Sequence, residues 1–386
     1  MKLYDYSNIE KLFTVGDIHG EFSTFFRVIK NNLKYNKDEY KEDVHPLIKA
    51  EQEEIERQNA RFRDVLYNFG DDDGMPRPIS PKRNYNRNGL YNNSVIIVAG
   101  DCGFGFSKLE YYNDILTKAN ELFFNTNTHI IFVRGNHDDP KYFNEELINF
   151  SNIKTVQDYS VIKTMFLTTL CIGGAVSVDR LWRKQQEIRL NRYSKSKRHR
   201  LYWEGEECFL NENIIQELDD NNIKIDSVVT HTCPSFCLPI EKDSAIAWLK
   251  LDETLKKDLD NERNLMTELF NILTKKYDIK FWSYGHFHQQ YEYLEKKVVF
   301  LALDDNIVIK NPLSVREHIL IMEEEKKNKN NKKKKKIIND NDVSISELYN
   351  RLRHNIIENQ AIEGDAINDL LFNNEENNVM VDEEPF

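Results

Sequence analysis

No apolar run in this chain approaches the roughly 20 residues that a membrane span takes. The opening, MKLYDYSNIEKLFTVGDIHG, lacks the basic-then-apolar order of a signal peptide. Cysteine is scarce and odd in number: five residues, Cys102, Cys171, Cys208, Cys233 and Cys237, lie scattered along the chain. That count argues against a disulfide framework and for reduced thiols. A soluble cytoplasmic protein with no membrane partner is therefore expected. Positive charge is also in deficit. A formal net charge of -11 excludes a generic nucleic-acid binder, although a local basic patch remains open. Apolar residues are a modest 40%, but aromatics at 11% can fill a core. With 386 residues there is room for one large domain or two smaller ones.

What the chain does have is a series of short apolar strands alternating with helical stretches. KLFTVGD, SVIIVAGD, HIIFVRGN, FLTTLCIGGAV, IDSVVTHT, IKFWSYGH and KKVVFLAL read as strands. EFSTFFRVIKNNL carries apolar residues at helical spacing, and residues 107–125, 211–220 and most of 244–277 read as helices. The fold class expected from this alternation is α/β. Residues 36–93 are long, charged and polar, and read as an insertion whose first half is helical. From about residue 312 the character changes. A Lys/Asn-rich stretch over 312–342 reads as a disordered linker, and 343–386 as a short helical segment with an acidic end. The domain proper is thus expected over 1–311.

Five of the strands run straight into polar side chains. Asp17 and His19 sit in GDIHG, Asp101 in GDCGFG, Asn136 and His137 in RGNHDD, His231 in HTCP, and His286 and His288 in GHFH. Each motif alone is weak, since an isolated histidine is more often a satisfied core residue. Their joint occurrence at strand ends is a strong signal, because open α/β sheets bind ligands at the carboxyl ends of their strands. Carboxylate, imidazole and amide oxygen together suit Mn, Fe, Zn or Co. Two such ions about 3.5–4 Å apart need a shared ligand, which an Asp supplies, and together they lower the pKa of a bridging water. The carboxylates are too few for an all-oxygen magnesium site.

The set DxH, GD, GNHD, H and GHxH resembles the calcineurin-like metallophosphoesterases over roughly residues 10–305. The resemblance implies a β-sandwich flanked by helices, four layers in the order αββα, with a dimetal site at strand C-terminal ends. By motif, Asp17, His19 and His288 would hold one metal, and Asn136, His231 and His286 the other. Asp101 would bridge them, and manganese would be the first choice of ion. His137 would stand beside the metals as the proton donor to the leaving group. The activity implied is hydrolysis of a phosphate ester by a metal-bridging hydroxide, on a phosphorylated small molecule, nucleotide or protein.

RGNHD is also similar to the Ser/Thr phosphatase branch, which carries GDxxDRG at its second motif. Here that motif is GDCGFGF, with Phe104 where the branch has the Asp that orients the catalytic His, and Gly105 where it has a phosphate-binding Arg. Asp138 is then the candidate to steady His137. Arg134, Arg180 and Arg183 are the candidates for the phosphate contact. Phosphomonoester hydrolysis leads. A phosphodiesterase or nuclease is the alternative, favoured only by the basic run at 180–200, which would attract an anionic substrate. A non-catalytic scaffold would have lost a ligand or His137, and no such loss is seen. A structural zinc on His231, Cys233 and Cys237 leaves the other polar strand ends unexplained.

Overall fold

The computed structural model describes residues 1–34, 89–193, 199–240 and 245–321. These fall in one compact unit, Met1–Ile321. The insertion expected over 36–93 lies almost wholly outside the described residues, as do Met322–Phe386 and the linker and tail expected there.

Among the described residues, eleven strands form two sheets. The larger orders its strands β1-β6-β7-β8-β9-β11-β10 and the smaller β2-β3-β4-β5. In chain order they are β1 Leu3–Tyr6, β2 Lys11–Val15, β3 Ser94–Ala99, β4 Thr128–Val133, β5 Ile153–Thr155 and β6 Ser160–Thr164, then β7 Thr168–Ile172, β8 Ser227–Thr230, β9 Phe281–Tyr284, β10 Tyr291–Glu295 and β11 Val298–Ala302. The smaller sheet is parallel throughout. In the larger, β7, β8, β9 and β11 run parallel, while β6 and β10 pair antiparallel with β7 and β11.

The continuous apolar runs explain why the sheets face each other. Successive side chains on a strand point to opposite faces, so a strand apolar at every position must be covered on both. In β3, Ile96 and Val98 pack into a core beneath helices α1 (Phe22–Asn31) and α2 (Leu109–Asn125), while Val95, Ile97 and Ala99 pack into a second core. In β11, Val299 and Leu301 enter that same second core from the larger sheet. Val298, Phe300 and Ala302 face a third core under α5 (Ile214–Asp220) and α7 (Leu255–Lys276). Helix, sheet, sheet, helix is the four-layer αββα order anticipated from the motifs. α1 shows the matching pattern, with Phe22, Phe25, Phe26 and Ile29 buried on one stripe.

Three further helices are α3 (Pro140–Asn144), α4 (Arg180–Tyr193) and α6 (Ala245–Leu249). Strands β1, β5, β6 and β10 escape a reading by apolar runs. LYDY and YEYLE are half polar and border their sheet, and β5 has only 3 residues. Residues 312–321, read from composition as linker, are helical, and Val315 and Ile319 pack against the core between the sheets.

Candidate metal centre

Parallel strands of both sheets deliver the polar motifs to one place. Asp17 and His19 follow β2, Asp101 follows β3, and Asn136 and His137 follow β4. His231 follows β8, and His286 and His288 follow β9. One group of ligand atoms within 4.8 Å of each other comes from Asp17, His19, Asp101 and His288, and a second from Asp101, His231 and His286. Asp101 belongs to both. Asn136 joins the second group, because its Oδ1 lies 2.8 Å from His231 Nε2.

The backbone bends hard to achieve this. His19, Asp101, His286 and His288 all take positive φ, at 43°, 44°, 72° and 54°. Such a conformation in a non-glycine residue costs on the order of 1–3 kcal/mol and persists only where its surroundings impose it. Two glycines give the room: a Cβ on Gly135 would run into the Asp101 backbone N and Oδ1, and one on Gly285 into Asp17 Oδ1. At Gly135 the missing side chain is what permits this close approach.

The donor set calls for a cation. His231 Nδ1 lies 2.8 Å from Ala99 O, an acceptor, so Nδ1 carries the proton and Nε2 presents its lone pair. That Nε2 faces two further acceptors, Asn136 Oδ1 and Asp101 Oδ1, the latter at 3.2 Å. His288 Nε2 sits 3.2 Å from both Asp17 Oδ2 and His19 Nε2, while its Nδ1 is 3.5 Å from Asp305 Oδ2. Lone pairs this close repel unless a positive charge lies among them. Without a metal that charge is a proton. Burial works against it at His231, but the Asp101 and Asp17 carboxylates raise that imidazole to about 9. Burial likewise opposes ionisation of Asp101, and His231, His137 and His19 outweigh it, holding the carboxyl well below its usual range. Imidazole, carboxylate and amide donors in this arrangement fit two divalent transition ions.

His137 stands beside these groups and in neither. Its backbone N–H donates to Asp101 Oδ1 at 2.8 Å, and its ring centroid lies 5.5 Å from that of His19.

Four sequence expectations are corrected. Asp138 acts on the loop backbone, through four N–H groups. Its carboxylate is fully buried and accepts the N–H groups of Cys102 and Gly135 on Oδ2 and of Gly103 and Phe104 on Oδ1. Burial and the Asp101 charge push its pKa up, and these N–H donors pull against them. It ties the loop after β3 to the loop after β4. Arg134 is no phosphate ligand in this arrangement: Nη1 donates to Gly205 O and Glu206 O, and Nη2 to Glu207 O and Asp158 Oδ2. Arg180 donates to Asp252, Thr254 and Asp258. Arg183 donates through Nε to Leu201 O and through Nη1 to Ser177 Oγ, while its Nη2 is buried without a hydrogen-bond partner. All three arginines are at most 9% exposed, and apart from Arg183 Nη2 the donors named here go to the protein. Phe104 points away from the site into the aromatic core, 5.3 Å from Phe22 and 5.2 Å from Phe132 between centroids. Cys233 and Cys237 lie in the outer core of the larger sheet, outside both ligand groups.

Residues the sequence reading missed support the ligands from behind. Asn136 Nδ2 donates to Ser177 Oγ at 2.8 Å, which turns Oδ1 toward His231. Ser177 Oγ also accepts from Arg183 and donates to Glu206 Oε2. Glu206 is fully buried, and burial raises its carboxyl to about 8 despite Arg183. Asp305 offered a signal: it closes the apolar run VVFLALDD, the same pattern that marks the ligands. Ser177 offered none.

A sequence model of calcineurin-like phosphoesterases matches residues 11–290. No curated protein matches the chain. Among solved structures, a cold-active protein tyrosine phosphatase is 12% identical, over 79% of this chain and 73% of its own, with a TM-score of 0.29. A sulfate thiohydrolase, SoxB, of Thermus thermophilus is 11% identical, over 79% of this chain and 53% of its own, with a TM-score of 0.28. Likenesses at these scores carry no argument.

Proposed function

This chain belongs to the calcineurin-like phosphoesterase family and is a hydrolase of phosphate esters; from that premise we propose that it is a metal-dependent phosphomonoesterase. Asp17, His19 and His288 would hold one ion, Asn136, His231 and His286 the other, and Asp101 would contribute to both. The observation that carries this reading is the presence of Asp101 in both groups of converging ligand atoms. Two divalent ions, manganese first among Mn, Fe, Zn and Co, supply Lewis acidity at the phosphoryl oxygens and activate the attacking water.

The chain's own residues do the rest. His137 holds a proton at its ring for the leaving-group oxygen. The Asp138 carboxylate fixes the loops that carry Asp101 and His137, through the four N–H groups it accepts. Ser177 sets which end of the Asn136 amide faces the ion. The five cysteines are free and buried, and fit a cytoplasmic location. No helix among the described residues is long and apolar enough to cross a membrane.

A monoester is preferred over a polyanion because the basic run that argued for a nucleic-acid substrate is partly spent. Arg180 and Arg183 are committed within the protein. A phosphoprotein substrate is disfavoured because Phe104 is buried and Gly105 has no side chain to offer a phosphate.

The test is hydrolysis of p-nitrophenyl phosphate and its bis-ester by metal-stripped protein, with manganese restored. Manganese-dependent turnover with the monoester preferred is expected. Preference for the bis-ester transfers the reading to phosphodiesterase, and no turnover on either removes it. Within the same reading, Ser177→Ala weakens one ion by about 10–100-fold and spares the other, as loss of an outer-sphere hydrogen bond does. Manganese titration of the variant, read as two separate affinities, checks this. Equal affinities in variant and parent refute a positioning role for Ser177, and Ser177→Thr should restore the weakened ion.

A further inference from the structure

A cavity of about 360 Å³ opens beside the candidate metal centre, with His286 among its lining residues. Ile240, Ala245, Ile246, Leu249, Leu259 and Phe287 form the apolar part of its wall, beside charged residues and the uncharged polar Ser235 and Asn264. Ala245 belongs to a small core with Val176, Val178 and Leu255, and Leu249 and Leu259 pack against that core, which holds this wall in place. The volume falls within the roughly 300–1,000 Å³ of small-molecule sites.

The charged groups in the walls are already occupied. Glu262 accepts from the Thr232 hydroxyl on Oε1 and from the Val176 N–H on Oε2. Arg263 donates to the carbonyl oxygens of Pro234, Cys237, Pro239 and Ile240, and its guanidinium stacks 4.9 Å from the Phe287 ring. At the rim, Lys256 and Asp260 pair with each other at 3.3 Å. Burying a charged ligand group against partners already spent is costly, whereas burying an apolar surface is favourable.

Resting on the phosphoesterase reading above, we infer that this cavity binds the organic part of the substrate, and that this part is an uncharged, apolar ring system. The phosphoryl group sits at the metal centre, and His286 joins that centre to the cavity. A second phosphate or a polyanionic chain finds no free cation among the wall residues named here. The cavity therefore selects phosphate esters by apolar burial, as one pocket methylene alone discriminates by about 10–200-fold.

The experiment compares kcat/KM for 2-naphthyl phosphate and phenyl phosphate, whose leaving groups are chemically alike and differ by one fused ring. The manganese-loaded full chain is measured with Leu249→Glu and Ile246→Glu, which place a charge in the apolar wall. The parent is expected to prefer the naphthyl ester by about tenfold or more, and both variants to lose most of that preference. A ratio near one in the parent overturns the inference, as does a preference that both variants keep. Ile246 is 62% exposed, so its variant folds even if Leu249→Glu does not. Absence of manganese-dependent turnover on every ester overturns the phosphoesterase reading itself, and this inference with it.

Discussion

Asp101→Asn is expected to abolish ester hydrolysis and to strip the protein of metal. The residue is 1% exposed and contributes to both ligand groups. Its Oδ1 already takes the His137 N–H at 2.8 Å and lies 3.2 Å from His231 Nε2. An asparagine fills the same volume, so the sheets and cores stay intact. It has one acceptor oxygen where two are needed, and its NH₂ turns a donor toward whichever ion it no longer holds. It also removes a negative charge from a buried site that must compensate two divalent cations. A fall of at least about 10³ in kcat/KM, equivalent to about 4 kcal/mol, should accompany the loss. Elemental analysis of the purified variant, beside p-nitrophenyl phosphate turnover, reads both effects. Two equivalents of retained metal would refute the shared-ligand role.

His137→Asn should separate chemistry from metal binding. His137 lies outside both ligand groups, and its hydrogen bond to Asp101 is made by the backbone N–H, which the substitution keeps. Both ions therefore stay. Loss of a positioned general acid costs about 10²–10⁴-fold in turnover. The loss should shrink for esters with acidic leaving groups, which depart without a proton. A slope of rate against leaving-group pKa measures this, and a variant as active as the parent on every ester would show that His137 donates no proton.

Much of this site was legible before any fold was known, for a local reason. A ligand that follows a buried strand leaves a short-range trace: an apolar run, a glycine, then a carboxylate, amide or imidazole within a few residues. Asp17, Asp101, Asn136 and His286 each carry it, and His231 follows its apolar strand without the glycine. The same logic marked β3 as a strand covered on both faces, because its six residues form a nearly continuous apolar run; the sandwich itself was what the family resemblance implied.

The assignments that failed are those whose partners lie far along the chain. Arg134 follows β4 at the site's edge and looked free to bind phosphate, yet its guanidinium meets carbonyls 71–73 residues away. Asp138 adjoins His137 in the chain, but its carboxylate faces loop amides 34–36 residues earlier. A side chain's neighbours in sequence do not fix its direction. What the sequence by itself determined was the set of candidate ligands and the alternation of strands and helices, because strand-end chemistry and apolar periodicity are local properties; the layer order came with the family resemblance. Which carboxylate belongs to both candidate groups, which arginines are committed, which end of Asn136 faces His231 and what lies beside His286 were decided by tertiary structure. Each depends on two sheets packing face to face and bringing their loops together, and no local pattern records that meeting.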